Sequence, residues 1–252
     1  MVKPAWNVWE AVVAMVIALA AVIIAGAVAI SLIGSRAGAP TGDGAYLGRV
    51  AAQLELGATP NAPGLSLSET LILQLPLWMG LLVFPWVMAR QHNMSFAGAT
   101  ALTQKVRDIP IGLAAGAGTQ IVALPLLYLA LSPLIDSYSL SAPARDLGDR
   151  ANNPLGIVLL IAIVLIGAPL VEEIFFRGVL FATLKDRCSP VMMIAVTSLV
   201  FMVFHVGQVL QYPGLLLFGI VAGLIYYKTG RLGAAIWTHV GFNAVTVVVL
   251  LI

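Results

Sequence analysis

Residues 154–184 form 31 consecutive positions in which Glu172, Glu173 and Arg177 are the only charged side chains. A helix rises about 1.5 Å per residue, so a helix of this length exceeds the roughly 30 Å hydrocarbon core of a bilayer and projects past it. Six further apolar runs accompany it, near residues 8–33, 68–89, 110–131, 190–211, 213–228 and 232–252. The chain has 252 residues, 60% hydrophobic and 10% charged, whereas a soluble domain is nearer a quarter charged. The expectation is an all-α fold, a polytopic transmembrane helical bundle of about seven spans.

The first run is too long for the core of a signal peptide and ends in no clear cleavage site, so it reads as a membrane anchor. The run at 213–228 is short and reads as tilted or partly re-entrant. Gly112/Gly116 and Gly219/Gly223 have the small-xxx-small spacing that lets helices approach closely, a weak signal in a chain with 24 glycines. Two segments read as long loops. One is 34–67, rich in Gly and Pro, with a short surface helix at 47–56; the other is 132–153, with Asp136, Asp146 and Asp149. No internal repeat is visible. The chain divides into N-terminal spans and loops, 1–150, and a candidate catalytic helical core, 151–252.

A net charge of +2 gives no case for nucleic acid. Cys188 is the only cysteine, which excludes an intrachain disulfide and a multi-cysteine metal site. It lies beside Lys185 and Arg187 and reads as incidental. With the N-terminus in the cytoplasm, the inner segments hold Lys3, Arg90, Lys105, Arg107, Lys185, Arg187, Lys228 and Arg231. The outer ones hold only Arg36, Arg49, Arg145 and Arg150. The excess of inner cations predicts a cytoplasmic N-terminus and an external C-terminus.

An ionised side chain deep in a bilayer is expensive and usually faces a partner inside the bundle. Glu173 and Arg177 are four apart, in the favoured Glu-before-Arg order, and can pair. Glu172 points roughly 100° away around the helix and is left without an intrahelical partner. A desolvated carboxylate of that kind can serve as a general base. Two of the three histidines fall in spans: His205 in "FMVFH", and His239 in "WTHVGFNAV", four residues before Asn243 on one helix face. His92, at a helix end, reads as a solvated loop residue. Counted along the helices, Glu172 lies about 18 Å in from residue 184, His205 about 22 Å from 190, and His239 and Asn243 about 10 and 17 Å from 232. All four can meet at one level in the cytoplasmic half. Each element alone also has a purely structural reading, since intramembrane Glu–Arg pairs and lone histidines hold bundles together. The combination at one depth favours a joint site.

"EEIFFR", "FMVFH" and "HVGFN" resemble, in order, the three motifs of the CAAX-protease and bacteriocin-processing family, which includes the Ras-converting CAAX endopeptidases: EExxxR, FxxxH and HxxxN/B. The likeness covers residues 167–247; the first 150 residues match only in being hydrophobic spans. It implies intramembrane endopeptidase chemistry. Glu172, helped by His205, would then deprotonate a water that attacks the scissile carbonyl. His239 and Asn243 would donate to the developing oxyanion. Glu173 and Arg177 would fix the helix and the charge state of Glu172. Two histidines and a carboxylate (Glu172, His205, His239) could instead hold Zn²⁺ with a position left open for water. The absence of HExxH and the spread over three helices favour the metal-free alternative. The implied partners are the lipid bilayer and a hydrophobic or lipidated peptide, as in CAAX-tail or bacteriocin-related processing. Short loops and Ala/Gly/Val-rich spans suggest a bacterial plasma membrane, where a prenylated substrate is not expected. The competing classes are a transporter using the buried acids as a proton relay, which internal repeats would support, and a non-catalytic scaffold.

Overall fold

The computed structural model describes residues 7–18, 20, 66–135, 137–205 and 208–252. Among these every regular element is helical. In chain order they are α1 (Val8–Ala18), α2 (Leu67–Gln91), α3 (Phe96–Ala99), α4 (Asp108–Leu131), α5 (Ser137–Asp149), α6 (Pro154–Leu184), α7 (Pro190–Phe204), α8 (Val209–Thr229) and α9 (Leu232–Leu251). Five of them, α2, α4, α6, α8 and α9, are long and apolar enough to cross a membrane; α1 and α7 are shorter apolar helices. The molecule is an all-α integral membrane protein.

Local chemistry sets the helix starts. Ser66 and Glu69 form a capping box at the head of α2. Asn153 caps α6 by accepting from the Gly156 amide, and Ser189 caps α7 by accepting from Met192. Pro154 and Pro190 follow these caps at the position where a missing N–H is harmless. Gly230, at φ 64°, closes α8 in the left-handed conformation that glycine adopts without strain.

Three expectations are corrected. The 132–153 segment is not an extended loop: residues 137–149 form α5, whose Gly148 lies against Leu250 of α9. The helix expected at 190–211 stops at Phe204, so His205 is its C-cap and not a mid-helix residue. A 3₁₀ turn, Val209–Gln211, then leads into the next helix. The helix expected to be short, 213–228, is extended by that turn to 21 residues. Most of the first expected span, the 47–56 helix, Arg36, Arg49 and Asp136 lie outside the described residues. His92 caps the end of α2 with 47% of its side chain exposed, and its Nε2 is 3.9 Å from Glu10.

The bundle is drawn together where backbones touch. A Cβ on Gly112 would stand 2.5 Å from Trp237 Cβ and 2.8 Å from the Ala234 carbonyl. One on Gly116 would overlap the Thr238 carbonyl, and one on Gly241 would lie 2.5 Å from the Leu113 carbonyl. The α4–α9 crossing is therefore set by glycines on both helices, the packing mode that works in lipid, where burial of apolar side chains supplies little drive. Gly219 of α8 presses on Ser198 of α7 in the same way, whereas Gly223 makes only ordinary contacts with Ile194.

The same end of α4 and α9 is pinned by ions and by the segment after α3. Arg231 grips Asp108 with two donors, Nε to Oδ2 at 2.7 Å and a second through its terminal nitrogen. The first amides of α9, on Leu232 and Gly233, donate to the Ala101 and Thr103 carbonyls. These bonds put residues 108 and 231 at one height, so positions along α4 and α9 can be compared directly.

Candidate active site

Helix α6 carries both acids, and it is not α-helical throughout. Residues Ala162–Gly167 and Ile174–Phe181 are π-helical turns flanking Glu172 and Glu173. The first has a covalent cause. In an α-helix the Pro169 ring would clash with the Leu165 carbonyl, four residues back. The wider turn relieves the clash, but the donor due to the Val164 carbonyl would be residue 169, and proline has no N–H. Asn243 supplies the missing bond: its Nδ2 donates to Val164 O at 2.8 Å. One amide hydrogen of Asn243 is thereby spent on the α6 backbone.

Glu173 and Arg177 are fully buried. Arg177 Nη1 donates to Glu173 Oε1 at 2.8 Å, the intrahelical pair expected from their spacing. Arg177 Nη2 donates to the Gly219 carbonyl of α8 at 3.1 Å. Its guanidinium also lies over the Phe201 ring, 4.9 Å from the centroid. Spacing alone did not reveal the third contact of this group: His239 Nδ1 is 3.0 Å from the same Glu173 oxygen. Glu173 thus joins α6 to α9 as well as to its own Arg177.

Glu172 is turned the other way. Its Oε2 is buried and has no hydrogen-bond partner, and it faces His205 Nε2 at 3.9 Å. The two side chains are 13% and 20% exposed, more open than Glu173, Arg177 and His239. His205 leaves the helical ladder at the C-cap, and its ring is held instead by Phe201. Nδ1 lies 2.8 Å from the Phe201 carbonyl, and the two rings are 4.6 Å apart. A carbonyl only accepts, so Nδ1 carries a proton, and in the neutral form of the ring Nε2 then presents a lone pair. Phe201 also flanks His239, as does Phe218, at 6.0 and 4.7 Å between centroids. Both phenylalanines are themselves fully buried. The F of the FxxxH pattern was visible in the sequence, but its three simultaneous contacts, with Arg177, His205 and His239, were not.

Five of the six residues singled out in the sequence are brought together, Glu172 with His205 and Glu173 with Arg177 and His239, while Asn243, one turn past His239 on α9, is tied to the Val164 carbonyl. Glu172, His205 and His239 were the alternative Zn²⁺ set. Among the described residues no three His, Cys, Asp or Glu side chains are arranged as metal ligands, and the Nδ1 of His239 is already turned to Glu173.

Residues 154–245 match a family model described as Type II CAAX prenyl endopeptidase Rce1-like. The stretch from α6 to near the end of α9 is thus similar to CAAX-type prenyl endopeptidases, and the apolar helices make the chain an integral membrane protein. No curated protein and no solved structure matches the chain.

Proposed function

We propose that the protein hydrolyses a peptide bond in a hydrophobic or lipidated peptide by a metal-free mechanism in which Glu172 is the general base. The observation that carries this reading is the division of labour between the adjacent acids. Glu173 turns Oε1 to both Arg177 and His239 and leaves Oε2 buried without a partner, while the buried, unpartnered Oε2 of Glu172 faces His205 Nε2. Two acceptors 3.9 Å apart can share one water that gives a hydrogen to each. Glu172 takes the proton as the water oxygen bonds to the scissile carbonyl carbon, and returns it to the leaving amine as the C–N bond breaks. One water is consumed and no covalent enzyme intermediate forms.

The oxyanion is held by the free hydrogen of Asn243 and by Nε2 of His239. The second donor carries a condition. Nδ1 already gives its hydrogen to Glu173, so Nε2 donates only when the ring is cationic. With both glutamates ionised, Arg177 and a cationic His239 make the cluster neutral overall, the state that costs least inside a membrane. A bacterial plasma membrane, on the short loops and Ala/Gly/Val-rich spans, with the N-terminus in the cytoplasm, on the Lys/Arg distribution, is part of the same reading.

The test is proteolysis of a hydrophobic peptide library by the purified protein in detergent. Three samples are compared: wild type, Glu172→Gln, and wild type dialysed exhaustively against a strong chelator. Cleavage by the first and third alone is expected. Loss on chelation with recovery on adding zinc would reassign Glu172 and the histidines as ligands. Equal cleavage by Glu172→Gln would pass the base to another group.

A further inference from the structure

Gln120 of α4 and Thr246 of α9 form a second polar pair inside the bundle, outside the matched family segment. Gln120 Nε2 donates to Thr246 Oγ1 at 3.0 Å, and Gln120 Oε1 is buried with no partner. Reversing the amide does not help, because the hydroxyl can serve either end and the other end is then orphaned. The pair is not needed to hold its two helices together. That crossing is already fixed by Gly112, Gly116 and Gly241 in backbone contact, and an apolar pair would fill the space without stranding a polar atom in a membrane.

Its position is informative. Asp108 and Arg231 are paired at the heads of α4 and α9, and Gln120 and Asn243 are each twelve residues further on. Both therefore lie about 18 Å in, at one level. Thr246 is three residues past Asn243, its neighbour on the helix surface. Gln120 also sits in a π-helical turn, Thr119–Ala123, and Pro125 stands five residues after it. Val164 stands at the same offset before Pro169. Both π turns bring a partner to the level of Asn243, and such turns concentrate at functional sites.

We infer that Gln120, held by Thr246, is a subsite that binds the main chain of the substrate peptide beside the scissile bond. The proposal rests on the peptidase reading above. A peptide entering next to Asn243 presents its scissile carbonyl to the oxyanion donors and its neighbouring N–H groups along the strand. A carboxamide oxygen at that level accepts one of them, so an orphan acceptor in the resting enzyme is satisfied only in the complex. The contact reads backbone and not side chain, so it orients any sequence while leaving side-chain selection elsewhere.

The experiment takes the library peptide cleaved fastest by the wild type and resynthesises it with a single N-methyl group at each backbone nitrogen in turn. Wild type, Gln120→Leu and Thr246→Val are compared by kcat/KM, with thermal melting in detergent to verify that each variant is folded. One position within a few residues of the scissile bond should lose about tenfold on methylation in the wild type, as expected for one hydrogen bond. At that position alone, methylation should cost Gln120→Leu little, since the acceptor is already gone. Thr246→Val should give an intermediate ratio. If every methylated peptide shows the same ratio for Gln120→Leu as for wild type, the subsite is wrong and the peptidase reading stands. If wild type and Glu172→Gln are alike in cleaving no library peptide, the peptidase reading fails and takes the subsite with it.

Discussion

Replacing Glu173 by Gln keeps the side chain's size and removes its charge, and the structure says what that does. The carboxylate is fully buried and its Oε1 contacts both Arg177 and His239. In Glu173→Gln, Arg177 keeps only the Gly219 carbonyl and the faces of Phe201 and Phe218, none of them an anion. Stranding one member of a buried ion pair costs about 3–5 kcal/mol. At about 1.4 kcal/mol per factor of ten, the ratio of folded to unfolded protein falls by roughly 10² to 10⁴, and melting in detergent drops on the order of 10 °C. Arg177→Met should do the same from the other side. The double variant Glu173→Gln/Arg177→Met should recover much of the loss, because no charge is left stranded. Glu172→Gln is the contrast: no hydrogen-bond partner loses its mate, so melting should stay within a degree or two while cleavage disappears. The assay is a double-mutant cycle on melting temperature, with activity read in parallel. Additive losses, or a Glu173→Gln protein as stable as wild type, would refute the bridging role of Glu173.

Asn243→Ala should lower kcat by about 10²- to 10³-fold with KM nearly unchanged, because the donor acts as charge develops on the carbonyl oxygen; a raised KM at constant kcat in steady-state assays would move Asn243 to ground-state binding. Gly116→Val places a side chain against the Thr238 carbonyl and should destabilise the α4–α9 crossing by about 1–3 kcal/mol or more, visible as a lower melting temperature, whereas Gly223→Ala meets only ordinary contacts and should be mild. A reporter active only outside the cytoplasm, fused after Ile252, should give signal; a silent but well-expressed fusion would mean that the Lys/Arg count was misread and that the site faces the other side.

What could be read from the sequence was what a single helix dictates. Apolar runs of membrane length gave α2, α4, α6, α8 and α9, because a bilayer fixes the length a span must have. Fixed rise and twist placed Arg177 one turn from Glu173 and Asn243 one turn from His239, and turned Glu172 away from its neighbour. The motifs supplied the candidate residues on the same local basis. The early end of α7 at His205 and the helical state of 137–149 escaped, since apolar continuity says nothing of where a chain leaves its ladder. Contacts between helices were decided only by the packed bundle. That Glu173 and not Glu172 meets His239, that Asn243 binds Val164, and that Gln120 meets Thr246 all depend on how far each helix is rotated and how closely it approaches. Those quantities are set by backbone contact at Gly112, Gly116, Gly219 and Gly241, by the Asp108–Arg231 pair, and by π turns that shift the phase of α4 and α6 ahead of Pro125 and Pro169. A linear pattern carries the periodicity of one helix, but the relative phase of two exists only once their surfaces have met.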